Sequence, residues 1–277
     1  FGVSADFDEE RTDPSNDAFG SCAPKIWTPV PGSASQALVE VLARTECPAF
    51  TARRARRAET SGASADPIVW TRAIGSNVGD ADGNIYVDLT SGFGVAAIGH
   101  AHPAVTAAVT GQAAKLSHAL GDLHPSAVKI ELLSRLCTLA PFDDARAVLS
   151  LSGSDAVETA LKTAMLATRK PGVLAFDGGY HGLSHGPLAA CGYSLGFRKP
   201  FAAQLNPHVR FASWHEVDAG AAMDAVEQAW TEDIGAVLLE PLQGRGGCRP
   251  SAPGFLASLS EFCRQRGALL IVDEIRT

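Results

Sequence analysis

Apolar and polar positions change rhythm along this chain, and each change predicts a different kind of element. From Ala37 to Arg57 the spacing is helical, whereas from Val69 to Leu89 short runs predict strands. These strands are broken at Asp80-Ala81-Asp82-Gly83-Asn84, whose Asp-Gly pair is a hairpin turn signal, so a small β meander is expected. Helical spacing returns over Pro103 to His118 and Ser126 to Leu139, the latter with Leu132, Leu133, Leu136 and Leu139 on one stripe. After that, strands and helices alternate. Strands are predicted at Ala147–Leu151, Gly172–Phe176, Val209–Ala212, Gly235–Glu240 and Ala268–Asp273, with helices between them, the last from Pro253 to Arg266. Such alternation predicts an α/β fold, a mostly parallel sheet with helices on both faces. The first 35 or so residues, rich in Asp, Ser, Pro and Gly, read as a loose arm or surface segment without an assigned function.

The stretch Leu269-Leu270-Ile271-Val272-Asp273-Glu274 reads as a buried parallel strand that delivers carboxylates at its carboxyl end, where open α/β sheets bind ligands. A carboxylate there, beside the matching strand that ends at Glu240-Pro241, suits a cationic partner or a protonated ring nitrogen. At Ser152-Gly153-Ser154-Asp155 a predicted strand opens into a helix, with Asp155 and Glu158 at capping-box spacing. Free N–H groups and two hydroxyls then converge as an anion site, with phosphate the usual occupant. Ordinary helix capping by Ser and Asp accounts for the same residues and stays open as a reading. The third element, Asp177-Gly178-Gly179-Tyr180-His181-Gly182, holds an aromatic ring and an imidazole between glycines just past the next strand. Glycines let backbone approach a ligand and an aromatic can stack on a flat ring, although a core tyrosine and a satisfied loop histidine fit equally. Taken together, a phosphate cradle, a stacking ring and a carboxylate suit a phosphorylated, positively charged heterocycle, and pyridoxal phosphate fits that description.

Composition narrows the partners. A formal net charge of −7 over 277 residues argues against nucleic acid or an anionic membrane as the main partner. The basic run Arg53-Arg54-Ala55-Arg56-Arg57 reads as a solvated helix face. The cysteines, Cys22, Cys47, Cys137, Cys191, Cys248 and Cys263, lie far apart with no C-x-x-C pair, which suits incidental thiols in a reducing compartment, and cytoplasm is the expected location. Phe1 is not an initiator methionine and Thr277 follows directly on a predicted core strand, so the chain is expected to be a piece of a longer protein.

The chain resembles the class III (ornithine/4-aminobutyrate type) aminotransferases of the fold-type-I pyridoxal phosphate enzymes. The resemblance is carried, in family order, by Asp82-Gly83-Asn84-x-Tyr86-x-Asp88, Gly92-x-Gly94-Val95-x-x-x-Gly99-His100-x-His102-Pro103, Ser152-Gly153-Ser154-Asp155-Ala156-Val157-Glu158, Gly179-Tyr180-His181-Gly182, Glu240-Pro241-x-Gln243-Gly244-x-Gly246-Gly247 and Asp273-Glu274. Over 65–277 it implies a small-domain meander and active-site entrance at 65–102 and a pyridoxal 5′-phosphate-binding large domain at 103–277, truncated at its C-terminal end; residues 1–64, an arm and helical segment, match nothing in the family and stay unassigned. By the same resemblance, Gly153 and Ser154 with Ser152 beside them bind the phosphate, and Tyr180, next to His181, stacks on the pyridine ring. Asp273 pairs with the ring nitrogen, and Glu240 stands where relatives place a carboxylate that pairs with a substrate-gating arginine. Phe93, in the segment from Ser91 to His100, touches substrate.

The implied activity is ping-pong transfer of an amino group from an amino acid or amine to a keto acid or aldehyde, by a homodimer with its active site at the subunit interface. An aminomutase or racemase of the same family remains open. Arg276 departs from the glutamine common in relatives. The Schiff-base lysine of the family has no match, since the last lysine is Lys199, so the chain as it stands is not expected to transaminate.

Three other readings compete. Gly92-Phe93-Gly94-Val95-Ala96-Ala97 satisfies a dinucleotide-binding G-x-G-x-x-[GA] pattern, but it lacks a preceding apolar strand, and His100-Ala101-His102-Pro103 interrupts the helix that should follow. His181 and His185 have i, i+4 spacing, with His100 and His102 as further candidate ligands, yet no H-E-x-x-H occurs and no metal is expected. A truncated, non-catalytic binding or dimerisation module is the third.

Overall fold

The computed structural model describes residues 19–62, 64 and 66–277. The chain divides into two compact units, the first ending at Pro125 and the second running Ser126–Thr277.

The first unit contains the expected meander. Strands β1 (Trp70–Ile74), β2 (Asn77–Asp80) and β3 (Ile85–Val87) form an antiparallel sheet in that order, and the Asp-Gly turn joins β2 to β3 with Gly83 at φ 84°. The segment from Phe19 to Ser35 is no loose arm. Asn77 Oδ1 accepts the Gly20 and Cys22 amides, Asn84 Oδ1 accepts Trp27 and Thr28, and Asp82 accepts Ala34 and Ser35 at the start of a helix over Ser33–Thr45. Buried Asn77 and Asn84 would be costly unpaired, and that segment supplies their donors. The part of the expected arm before Phe19 lies outside the described residues. The helical region expected from Ala37 to Arg57 is two helices, since Pro48 has no N–H to continue the first and instead opens a second over Pro48–Ser61. The basic run lies on that second helix as expected, with Arg54 paired to Glu46 and Arg53 over the Phe50 ring. Helix Pro103–Lys115 completes this unit's long helices.

The segment 88–100 is organised by one carboxylate. Asp88 Oδ2 accepts the Gly92 amide at 2.6 Å and faces His100 Nε2 at 2.8 Å, while Oδ1 accepts the Thr90 amide and hydroxyl. These bonds hold Gly92 and Phe93 in left-handed backbone, with φ of 60° and 64°. No parallel strand leads into this turn, because β3 belongs to the meander, and the dinucleotide-binding reading falls with it.

The second unit is an α/β layer. Strands β4 (Gly172–Phe176), β5 (Val209–Ala212), β6 (Ile234–Leu239) and β9 (Leu269–Val272) form a parallel sheet in the order β5-β4-β6-β9. Two-residue strands β7 (Leu242–Gln243) and β8 (Arg249–Pro250) form a separate ribbon. Alternate residues of the central strands face opposite layers. Leu174, Phe176, Val237 and Leu239 pack with Val226, Phe255 and Leu259 from helices Ala219–Ala229 and Phe255–Arg266. Val173, Ala175, Ala236 and Leu238 pack with Val157 and Ala164 of helix Gly153–Thr168. Phe176, Trp214 and Phe255 meet edge to face with centroids 5.5–6.2 Å apart, which locks the first layer.

Two strand expectations need correction. Ala147–Leu151 forms no strand and leaves Val148, Leu149 and Leu151 exposed, because among the described residues no strand lies beside it to complete a ladder. β9 is parallel to β6 as expected but stands at the sheet edge, with Leu269 41% and Val272 39% exposed rather than buried. In helix Ala127–Leu139 the leucine stripe is likewise open, with Leu139 73% exposed.

The Asp88 carboxyl is held below the usual carboxylate range, first by the His100 hydrogen bond, then by the Thr90 hydroxyl and the Gly92 and Thr90 amides. A depressed carboxyl contributes order that is fully present above the ordinary carboxylate pKa and is lost as pH falls below it through the lowered folded value. The protection factor of the Gly92 amide, taken against intrinsic exchange at the same pH, is therefore expected to fall on acidification, and in Asp88→Asn at neutral pH. Unchanged exchange in the variant would remove Asp88 as the organiser of this turn.

Candidate active site

The registers align three strand ends. Leu239 pairs with Val272, so Glu240 and Asp273 emerge side by side, and the Asp273 amide donates to the Leu239 carbonyl at 2.8 Å. Asp177 follows β4 at the same edge of the sheet. The segment 177–184 then crosses this edge and touches every element picked out from the sequence in this unit.

Its residues make four attachments in succession. The Tyr180 amide donates to Glu240 Oε1 at 2.7 Å. His181 Nδ1 lies 2.9 Å from Asp273 Oδ2, with both side chains almost wholly buried. Gly182, at φ +115°, packs so closely on Ser154 that an added Cβ would sit 2.5 Å from its hydroxyl. The Ser184 amide donates to Ser154 Oγ at 3.0 Å, and the Ser154 hydroxyl donates to Ser184 Oγ at 2.8 Å.

The helix Gly153–Thr168 opens at this point. Ser152 Oγ accepts the Asp155 amide at 3.2 Å, and Asp155 Oδ2 reaches back to the Leu151 amide at 3.0 Å. The capping pair is thus Ser152 with Asp155, at the third helical position. Glu158 lies a turn too far along and instead accepts the Gly186 amide and pairs with Lys162. The Gly153 and Ser154 N–H groups stand at the helix mouth ahead of the capped amide, where partial positive charge gathers. Ile275 packs onto Gly153 so tightly that any Cβ there would collide with it, which brings the chain after Asp273 to the same mouth.

Glu240 is buried, and both oxygens are taken by backbone, Oε1 by Tyr180 and Oε2 by the Gly244 amide at 3.1 Å. Burial pushes its carboxyl up, while those two amides draw it back down. Gln243, also buried, donates from Nε2 to the Asp177 carbonyl at 2.8 Å. Together these bonds bind the segment 243–246 to the segment 177–184.

Three contributors were given no role in the sequence, Gln243 standing there only as part of a motif. Arg245 lies with its guanidinium 4.3 Å from the Tyr180 ring centre and 5.2 Å from that of Tyr193, at the unspecified position of Gln243-Gly244-x-Gly246-Gly247. Ser184 and Gln243 are the others. Their signal was weak, since a serine in a loop and a glutamine after a strand are common, and only the fold shows what each reaches. Phe93 belongs to the first unit and is 63% exposed. His185 lies against Phe201 while His181 faces Asp273, so the two imidazoles are engaged separately.

A donor set of helix-mouth amides and hydroxyls, with a buried carboxylate on the adjoining segment, fits an anionic group joined to a protonated ring nitrogen. The buried His181 Nε2 has no hydrogen-bond partner, so the cluster's polar atoms are not all used internally.

This chain belongs to the class-III aminotransferase family, whose model matches residues 60–277. Among curated relatives it is 37% identical to the acetylornithine aminotransferase of Methanopyrus kandleri, over 76% of this chain and 52% of that one. It is 35% identical to the 4-aminobutyrate aminotransferase of Mycobacterium leprae, over 76% of this chain and 51% of the relative. The chain thus spans about half the length of the curated relatives it matches. Its fold matches the omega transaminase of Pseudomonas jessenii solved in complex with PMP, at a TM-score of 0.69 and 23% identity over 79% of this chain and 52% of that one. The architecture is that of the fold-type-I transferases.

Gly182→Ala is expected to cost about 1–3 kcal/mol, combining left-handed strain with the Ser154 collision. Urea unfolding measures it, with Gly62→Ala as a control that has positive φ and open space around the Cβ. Equal costs for the two would show that the Ser154 approach carries no weight.

Proposed function

We propose that this chain is the cofactor-binding portion of a pyridoxal 5′-phosphate-dependent aminotransferase. The complete protein moves an amino group from an amino acid or amine to a keto acid or aldehyde. The observation that carries the reading is the convergence, through one segment, of the Ser152–Ser154 helix mouth and the buried Asp273–His181 pair. Family membership supports it, and the half-length match makes the whole protein's activity an inference.

In this reading the Gly153 and Ser154 amides hold the phosphate at the positive end of the helix with the Ser152 hydroxyl beside them, while the Ser154 hydroxyl, donated to Ser184, ties the helix mouth to the segment 177–184. Tyr180 offers its ring to the pyridine, and Asp273 keeps a proton on the ring nitrogen. With that proton in place, the cofactor supplies an electron sink for the bond broken at the substrate's α-carbon. His181 orients Asp273: a proton on its Nδ1 donated to Oδ2 fixes the carboxylate plane, while Oδ1 accepts the Ile275 amide at 3.3 Å and keeps a lone pair for a further partner. Glu240 sets the height of Tyr180 by gripping its amide.

The proposal extends to a cytoplasmic homodimer. Exposed Val128, Leu132, Leu136 and Leu139 on helix Ala127–Leu139 form an apolar face of the kind subunit contacts cover. Among the described residues no helix is long and apolar enough to cross a membrane. Analytical ultracentrifugation of the full-length protein is expected to give twice the chain mass, and a monomer at micromolar concentration would end the dimer reading.

Asp273→Ala in the full-length protein is expected to lower turnover at least about a hundredfold, with the far-UV circular dichroism unchanged. Near wild-type turnover would remove Asp273 from the ring nitrogen.

A further inference from the structure

We infer that Arg245 is the substrate-selecting residue of this site and that it binds a carboxylate of the amino donor or acceptor. The inference rests on the aminotransferase reading above and adds to it the substrate's chemical class.

The starting point is a cation without a counter-ion. Arg245 is half-buried over Tyr180 and Tyr193, and among the described residues no carboxylate pairs with it. The nearest acid in sequence, Glu240, is fully engaged with the Tyr180 and Gly244 amides. A guanidinium over an aromatic face gains from the ring's quadrupole while its N–H donors remain in its own plane. Those donors match a planar carboxylate two at a time.

Its placement is built rather than incidental. Glu240 ties Gly244 to Tyr180, Gln243 ties its own residue to Asp177, and a Cβ on Gly246 would lie 2.8 Å from the Gly178 carbonyl oxygen. The two segments are thus in backbone contact, and Arg245 is the charged side chain that this glycine-rich turn carries. It stands over the ring proposed to face the cofactor. The phosphate cradle attaches elsewhere on the same segment, at Gly182 and Ser184, which leaves Arg245 for an anion that the substrate brings.

The test uses the full-length protein loaded with cofactor. Glutarate, a dicarboxylate that carries no amino or keto group, is titrated by isothermal calorimetry into the wild type, Arg245→Gln and Arg245→Lys. Losing one charge-assisted carboxylate contact is expected to weaken glutarate binding about tenfold to a hundredfold in Arg245→Gln, with partial recovery in Arg245→Lys. The ratio of kcat/KM for 2-oxoglutarate over that for propanal is expected to fall by a similar factor in Arg245→Gln. An unchanged glutarate affinity overturns the inference. Loss of the cofactor's absorbance band in Arg245→Gln, with the glutarate affinity kept, also overturns it and makes Arg245 part of the ring platform. If the full-length protein turns over no amino donor at all, the aminotransferase reading fails, while the glutarate isotherms still decide whether Arg245 holds a carboxylate.

Discussion

The hydrogen-bonded pair of His181 and Asp273 is the contact on which the arrangement of this site depends. A carboxylate that emerges from a strand end into a nearly closed environment is costly unless a partner comes with it, because the cost of desolvating a charge exceeds what packing returns. Asp273 meets that demand by drawing an imidazole from 92 residues earlier in the chain. Once His181 is seated, its neighbours have little freedom. Tyr180 falls on Glu240, and Gly182 falls on Ser154. The positive φ at Gly182 is the local cost of reaching two strand ends and a helix mouth within a few residues.

The sheet supplies the other half of that constraint. Parallel pairing of β6 with β9, in the register that sets Leu239 opposite Val272, delivers Glu240 and Asp273 to one edge without any specific turn chemistry. A register slip would move the acids apart and turn every side chain of β9 to the opposite layer. The two-sided packing of Leu174, Phe176, Val237 and Leu239 against one layer and Val173, Ala175, Ala236 and Leu238 against the other fixes β4 and β6, on which β9 rests.

Much of this was legible in the residues. Alternation of apolar runs located β4, β5, β6 and β9 nearly residue for residue, and Asp-Gly located the β2–β3 turn, because these signals are local. What could not be read depends on partners distant in sequence. Ala147–Leu151 has the composition of a strand, but a strand exists only through its neighbour, and the same absence leaves β9 half exposed. The polar segment after Phe19 looked loose because its anchors, Asn77, Asp82 and Asn84, lie some fifty residues away. In the site, Asp273, Tyr180 and Ser154 announced themselves by type and position, whereas Arg245 sat at a position that no motif specifies.

Two acids at neighbouring strand ends carry opposite assignments, and that division explains the charge pattern around them. Asp273 faces an imidazole, a partner able to share or hold a proton, and is therefore suited to an electrostatic role toward a bound ring. Glu240 faces only neutral amides, each of which stabilises its charge without neutralising it, and Asp273 beside it works with burial to push its carboxyl upward. A carboxylate so occupied is poorly placed to quench a nearby cation. Glu240 thereby both holds the Arg245 turn against Tyr180 and leaves the guanidinium unneutralised, so that one buried acid serves as a structural bolt while preserving a positive charge at the face of the site.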